Sequence, residues 1–196
     1  MQGKIDSSFQ TEQRDLFTSG TVAEIGVNAY AVWCAIKYHA DFETGQAWPG
    51  MRRLGELVGL SKSAVDRAID VLEAAHMLRV EKTHGKRRGQ TYVARERMAV
   101  RIGKRVLCVI VLDYVPANLR GKIIALEKAL TSPNPNADVF AEVEILPGEG
   151  FSWDATENVL RGRIAASDLP SDPHPNEDHL RELGKAFLGR LKLPKK

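Results

Sequence analysis

The sequence predicts an α+β protein with two small domains and a C-terminal amphipathic helix, and three observations favour this class. Apolar residues recur at helical spacing before residue 75, strand-like patterns follow from residue 78, and a proline-rich stretch precedes the last amphipathic segment. The 196 residues, 43% of them hydrophobic, suffice for one domain or two small ones with a core. We expect a flexible N-terminus (1–16), a first domain (17–100), a small α+β domain (104–167), a linker (168–176) and the helix (177–193).

The composition disfavours several classes of protein. The apolar runs are shorter than the roughly 20 residues that cross a bilayer, and the polar first 15 residues lack the apolar segment of a signal peptide. Cys34 and Cys108 lie far apart in apolar runs, which favours buried, reduced thiols in the cytoplasm over a disulfide. The five histidines have no metal-ligand spacing, so we expect no metal and no cofactor.

Charge is unevenly distributed along the chain. Residues 1–50 hold 3 basic and 6 acidic side chains, residues 51–105 hold 14 and 6, and residues 106–196 hold 11 and 13. The middle segment therefore has a net charge of +8, against −3 and −2 on either side. Such a basic segment is typical of a nucleic-acid contact surface, and a merely solvated charged face is the alternative.

The first domain is expected to begin with helices. A short helix at 22–25 and a buried helix at 27–40 are predicted, because apolar side chains recur at positions 29, 32, 33 and 36. A loop with a short strand follows, marked by nearby glycines and proline. Within this loop we expect Trp48 to pack beside Pro49 rather than to stack on a base.

Two helices joined by a tight turn come next. The first should cover 51–58 and end at Gly59, because glycine accepts the left-handed conformation beyond a helix C-terminus. Ser61 is a favourable N-cap for the second helix at 62–75. Its apolar positions recur at helical spacing and should face the core: Val65, Ala68, Ile69 and Leu72. This arrangement has the form of a helix-turn-helix.

A basic hairpin is predicted directly after the second helix. Residues 78–82 and 90–94 alternate as strands, and the turn between them contains Lys86, Arg87 and Arg88. Three adjacent cations repel one another and are not needed for folding, so we expect them to lie along phosphates or in a minor groove. A merely solvated turn is the alternative. A helix-turn-helix followed by such a hairpin predicts a winged helix.

The segment 26–95 resembles the winged helix-turn-helix domain of plasmid and phage replication proteins and related transcriptional regulators. The matching positions are Gly45, Trp48, Pro49, Leu54, Gly59, Ser61, Val65, Leu72 and Leu78. Two positions depart from the pattern: Gly55 stands where alanine is commoner, and His76-Met77 replaces a glycine-containing turn. The resemblance implies the fold and binding to double-stranded DNA, and less specifically a role in replication.

The candidate DNA-binding residues lie on the helix-turn-helix and in the hairpin turn: Arg52, Arg53, Ser61, Lys62, Ser63, Arg67, Lys86, Arg87 and Arg88. For the first two, contact with backbone phosphate and a solvated surface are equally open. Lys62, Ser63 and Arg67 are expected to enter the major groove, where an arginine can bind guanine or hold a phosphate. The alternative for Arg67 is an ion pair with Asp70. Asp66 and Asp70 would repel phosphate, so they are expected to accept from a cytosine amino group or to orient Arg67.

The second domain is expected to have the order strand, helix, strand, strand. The continuous apolar run 106–112 predicts a buried strand, a helix follows at 117–131, and strands are expected at 139–146 and 157–165. One helix over three strands gives a thin core, so we expect a homodimer. The amphipathic helix at 177–193 could pack on its own domain, on a second protomer or on a partner protein, and its acidic residues disfavour a membrane surface.

These features favour a sequence-specific double-stranded DNA-binding protein of a plasmid or phage, acting in replication initiation or its control, in the bacterial cytoplasm on plasmid or nucleoid. A transcriptional repressor of a mobile element is one alternative. An adaptor that recruits replication or partition factors is the other. No phosphate-binding loop, nucleophile elbow or zinc motif occurs in the sequence, so we expect no enzymatic activity.

Overall fold

The computed structural model describes residues 12–82, 90–103, 105–131, 138–156 and 159–162. The chain divides into two compact units between Ala94 and Arg95, nearer the N-terminus than the boundary at 100–104 that the sequence suggests. The predicted linker and C-terminal helix, at 168–193, lie outside the described residues. None of the described helices is both long and apolar enough to cross a membrane.

Three helices open the first unit: α1 (Asp15–Thr18), α2 (Thr21–Ile25) and α3 (Val27–Tyr38). The last two confirm the predicted short helix and buried helix, and the apolar positions 29, 32, 33 and 36 are all buried. The sequence does not predict α1, which begins within the expected flexible N-terminus and buries Leu16 completely.

The next two helices, α4 (Met51–Val58) and α5 (Lys62–Ala74), both pack against α3 and against each other. The four predicted core positions of α5 are buried: Val65, Ala68, Ile69 and Leu72. Together with Trp33 and Ile36 of α3 and Leu54 of α4, they form the interior of this unit. The first unit is therefore a helical cluster built around the predicted helix-turn-helix.

A small antiparallel sheet completes the first unit. The short strand β1 (Gln46–Ala47) and the strand β2 (Leu78–Lys82) each pair with the first residues of β3 (Gln90–Ile102). Tyr92 lies opposite both Ala47 and Val80, and its side chain is almost fully buried. The predicted strands of the hairpin are thus present, and the turn between them, at 83–89, lies outside the described residues.

The described residues of the second unit form a sheet, two helices and a separate strand pair. Residues 95–102 of β3 pair antiparallel with β4 (Arg105–Asp113), whose next neighbour is β5 (Glu144–Pro147). The predicted strand at 106–112 and helix at 117–131 are confirmed, with slightly different ends. The remaining elements are α6 (Leu119–Thr131), α7 (Asp138–Ala141), β6 (Phe151–Asp154) and β7 (Val159–Gly162), of which β6 pairs with β7.

The strand predicted at 139–146 is wrong in its first half. Residues 138–141 form α7, in which Phe140 is buried and its ring centroid lies 5.9 Å from that of Trp153. This contact with a residue thirteen positions away outweighs the local alternation of apolar and polar side chains. The sequence also does not predict β6. Of the strand expected at 157–165, residues 159–162 form β7, and the rest lies outside the described residues.

Candidate nucleic-acid interface

The turn between α4 and α5 has the backbone chemistry that the sequence predicts. Gly59 ends α4 with a φ of 71°, a left-handed conformation that glycine adopts without a steric penalty. Two residues later, the hydroxyl of Ser61 accepts a hydrogen bond from the backbone N–H of Ala64 at 3.3 Å. The angle between the two helices is therefore set by a glycine and a side-chain cap within three residues.

The buried stripe of α5 leaves its opposite face in solvent. The exposed polar and charged side chains in its first three turns are Lys62, Ser63, Asp66, Arg67 and Asp70. These are the residues that the sequence assigns to this face. A helix that is apolar on one side and carries small polar and basic groups on the other at its start can enter a major groove.

Arg67 is exposed and makes no hydrogen bond or ion pair within the described part of the chain. The ion pair with Asp70 that the sequence leaves open therefore does not form there. Asp66 and Asp70 likewise keep their carboxylates in solvent without an ion pair to a described residue. The guanidinium of Arg67 is thus available to a ligand from outside this unit.

Arg52 and Arg53 lie in the first turn of α4, and both pair with one carboxylate. Glu56 lies 3.5 Å from Arg52 Nε and 3.8 Å from Arg53 Nη1. Both arginine side chains are largely exposed, so these contacts are weak surface ion pairs. Two cations sharing one anion leave this end of α4 basic.

The serines of the turn have different surroundings. Ser61 uses its oxygen as the cap of α5, and its hydroxyl lies 3.1 Å from that of Ser63. Ser63 is exposed within the first turn of the helix. Lys86, Arg87 and Arg88, the predicted phosphate contacts of the hairpin, lie outside the described residues.

Tyr92 links the start of β3 with α5. Its buried hydroxyl donates to Gln90 Oε1 at 2.6 Å. Burial raises the pKa of Tyr92, and the charges of Asp66 and Glu73 on α5 add to the rise. Helix α5 also packs against β2, the first strand of the hairpin.

The expectation that Trp48 packs beside Pro49 is wrong for the tryptophan. Pro49 is buried, whereas Trp48 exposes 60% of its surface. The buried residue before it, Ala47, faces the core from β1, and successive side chains of a strand point to opposite faces. Trp48 directly follows β1, and its exposure is consistent with Ala47 facing the core opposite Tyr92.

The cysteines are held as thiols rather than as nucleophiles. Burial raises the pKa of Cys108 to about 12. Burial, followed by a hydrogen bond to Glu12, raises the pKa of Cys34 to about 12 as well. Within the described ranges, no group of three or more histidine, cysteine or carboxylate side chains is arranged to hold a metal ion.

Comparison with known families identifies a helix-turn-helix domain. Residues 23–76 match the family model described as a helix-turn-helix domain, a span that covers α3, β1, α4 and α5. No curated protein and no solved structure matches the chain. The N-terminal unit is thus of the helix-turn-helix class, and this class indicates DNA binding.

Proposed function

We propose that this protein binds double-stranded DNA sequence-specifically through a winged helix and acts in replication initiation of a plasmid or phage, or in the control of that step, without enzymatic activity. The observation that carries the proposal is the exposed row of Lys62, Ser63 and Arg67 at the start of α5, opposite its buried face. In this reading α5 enters the major groove and Arg67 contacts a guanine or a phosphate. Asp66 and Asp70 favour a base contact over a phosphate contact at their positions, because phosphate would repel them.

The hairpin of β2 and β3 is the proposed wing. The packing of α5 against β2 supports this, because a turn that continues from β2 beside α5 would bring the cations at 86–88 to the phosphates that flank the groove. If about five phosphates are neutralised, the logarithm of the binding constant should fall with the logarithm of the salt concentration at a slope near −4.5.

Binding to duplex DNA tests this proposal directly. The paired change Arg87→Ala with Arg88→Ala should weaken binding and make the salt slope shallower by roughly 2. Arg67→Ala should weaken binding to the specific sequence by about tenfold or more. Arg120→Ala, an exposed arginine on α6 in the other unit, serves as the matched control and should leave affinity unchanged. Equal affinity for all four proteins would contradict the proposal.

The role at an origin requires a second measurement. Footprinting on the DNA upstream of the gene should find repeated direct sites if the protein is an initiator. A palindrome that overlaps a promoter would instead favour the transcriptional repressor. DNA affinity that does not respond to the arginine changes would favour the adaptor.

We also propose that the second unit assembles two copies of the chain, with the helix at 177–193 contributing to that interface or to a replication or transcription partner. The thin core of one long helix over a few strands supports this. Light scattering coupled to size-exclusion chromatography should give the mass of a dimer. A monomer at high micromolar concentration would exclude it.

A further inference from the structure

Trp48 is an exposed aromatic side chain held between two buried residues. Ala47 is fully buried in β1 and Pro49 is buried after it, whereas the indole exposes 60% of its surface. The buried neighbours fix the backbone on both sides, so little main-chain freedom is lost when a ligand contacts the indole. Single exposed apolar residues are common, and the surroundings must therefore decide whether this one has a role.

The strand register places Trp48 at the hairpin end of the sheet. Gln46 lies opposite Val93 and Ala47 opposite Tyr92, so β1 runs toward the first residue of β3. At that end Gln90 pairs with Lys82, the last described residue of β2 before the hairpin turn. Trp48 follows directly in this direction and lies beside the base of the proposed wing.

The same residue lies just before a basic helix start. Helix α4 begins at Met51, and its first turn contains Arg52 and Arg53 but no acid. The N-cap, Gly50, provides no side-chain cap, so the N–H groups of the first turn stay available to an external acceptor. Arg52 and Arg53 share the single carboxylate of Glu56, so a net positive charge remains there. This charge and the positive end of the helix dipole favour an anionic partner.

We propose that Trp48 packs against the sugar–phosphate backbone of bound DNA, beside the groove that α5 enters. The flat indole would cover a deoxyribose, and its Nε1–H would donate to a phosphate oxygen, because this group is a donor only. The phosphates on either side would meet the start of α4 and the described base of the β2–β3 hairpin. This inference rests on the proposed function, and it names a contact that does not distinguish between base sequences.

Affinity measurements on the whole 196-residue chain form the first arm of the test. Trp48→Ala should weaken binding by about five- to tenfold, and by the same factor on the specific duplex and on a random duplex. Phe42→Ala is the matched control, because Phe42 exposes 63% of its surface in the loop at the other end of β1. Its affinity should stay within about twofold of the parent. Trp48→Phe keeps an aromatic ring but loses the indole N–H donor. Its DNA affinity should lie between those of Trp48→Ala and the parent protein.

Fluorescence of the unmodified protein forms the second arm. Of the three tryptophans, Trp48 is largely exposed, Trp153 is partly buried and Trp33 is fully buried, so acrylamide should quench Trp48 most strongly. Addition of duplex DNA should reduce that quenching, and the effect should be absent in Trp48→Phe.

The outcomes separate this inference from the proposed function. Wild-type binding together with unchanged affinity of Trp48→Ala and unchanged quenching would overturn the contact alone. A tenfold loss on the specific duplex only would overturn the backbone contact in favour of a base contact. Failure of the wild-type protein to bind any duplex at low salt would overturn both.

Discussion

The carbonyl oxygen of Gly55 accepts a hydrogen bond from the backbone N–H of Leu60 at 2.9 Å, and this contact closes the turn of the helix-turn-helix. The two residues approach so closely that a Cβ on residue 55 would lie 2.4 Å from the carbonyl oxygen of Leu60. The resemblance to winged helix-turn-helix domains implies an alanine at this position. The structure gives the reason, since here the turn occupies the space of the methyl group.

Gly55→Ala should therefore destabilise the first unit by about 1–3 kcal/mol, because a backbone oxygen must move to make room. Urea denaturation followed by circular dichroism measures the change. Gly121→Ala, in α6, is the matched control, since a Cβ there meets nothing within 4 Å. It should stabilise the protein by up to about 1 kcal/mol, through the higher helix propensity of alanine. Similar effects of the two substitutions would contradict this account.

His76 occupies the left-handed conformation that ends α5, with a φ of 58°. The backbone N–H of the next residue, Met77, donates to Leu72 at 2.8 Å across the helix end. Glycine takes this conformation without the penalty of roughly 1–2 kcal/mol that a Cβ brings, at some cost in chain entropy. His76→Gly should therefore raise the free energy of unfolding by up to about 1 kcal/mol. His76→Ala should be less stable than the glycine variant, and the reverse order in thermal unfolding would rule out this explanation.

The parts of the fold that the sequence predicts are those determined within a few residues. Gly59, Ser61 and the apolar spacing of α5 act locally, so the helix-turn-helix and the exposure of Arg67 follow from the pattern. The helical state of residues 138–141 depends instead on Phe140 meeting Trp153. A contact between residues so far apart leaves no signal in the local sequence pattern. The alternation of apolar and polar residues therefore predicts a strand where residues 138–141 form a helix.

The candidate site shows the same division between local and distant causes. The exposed face of α5 follows from its helical period, whereas the absence of an Arg67–Asp70 pair depends on the side-chain conformations in the folded unit. The exposure of Trp48 depends on Ala47 pairing opposite Tyr92, more than forty residues along the chain. From the sequence alone, a tryptophan next to a proline is expected to be packed. Its exposure becomes evident only when the register of β1 on β3 is known.

The stability of the first unit should decrease in mild acid because of His39. Burial, and second the charge of Arg53, lower the pKa of His39, and its Nε2 atom is buried without a hydrogen-bond partner among the described residues. The folded state then binds fewer protons than the unfolded state, so stability rises with pH between the lowered pKa and the unfolded value of about 6.5. The free energy of unfolding should fall as the pH is lowered below about 6.5.

Two variants separate His39 from other titrating groups. His39→Gln should flatten the dependence of stability on pH in this window. Arg53→Gln removes the positive charge near His39 and should therefore raise the pKa of His39. NMR titration of the imidazole measures this pKa. An unshifted imidazole in the wild-type protein would contradict the prediction.

Arg95 connects three adjacent strands of the second unit. Its Nε lies 3.2 Å from Asp113 on β4 and its Nη1 lies 2.8 Å from Glu144 on β5, and only 14% of its side chain is exposed. Removal of the guanidinium leaves two neighbouring carboxylates that repel each other. Arg95→Ala should therefore destabilise the second unit by about 1–3 kcal/mol, below the range for fully buried pairs because both carboxylates are partly solvated.

Two comparisons test whether the ion pairs of Arg95 cause the expected loss of stability. Arg95→Lys should recover only part of the loss, because one ammonium group does not present the two parallel donor directions of a guanidinium. Arg52→Ala, at an arginine whose side chain is 93% exposed, should change stability by less than about 0.5 kcal/mol. At about pH 3, below the ordinary pKa values of aspartate and glutamate, the difference between wild type and Arg95→Ala should shrink. A difference that stays constant between pH 7 and pH 3 would assign the loss to packing of the arginine stem instead.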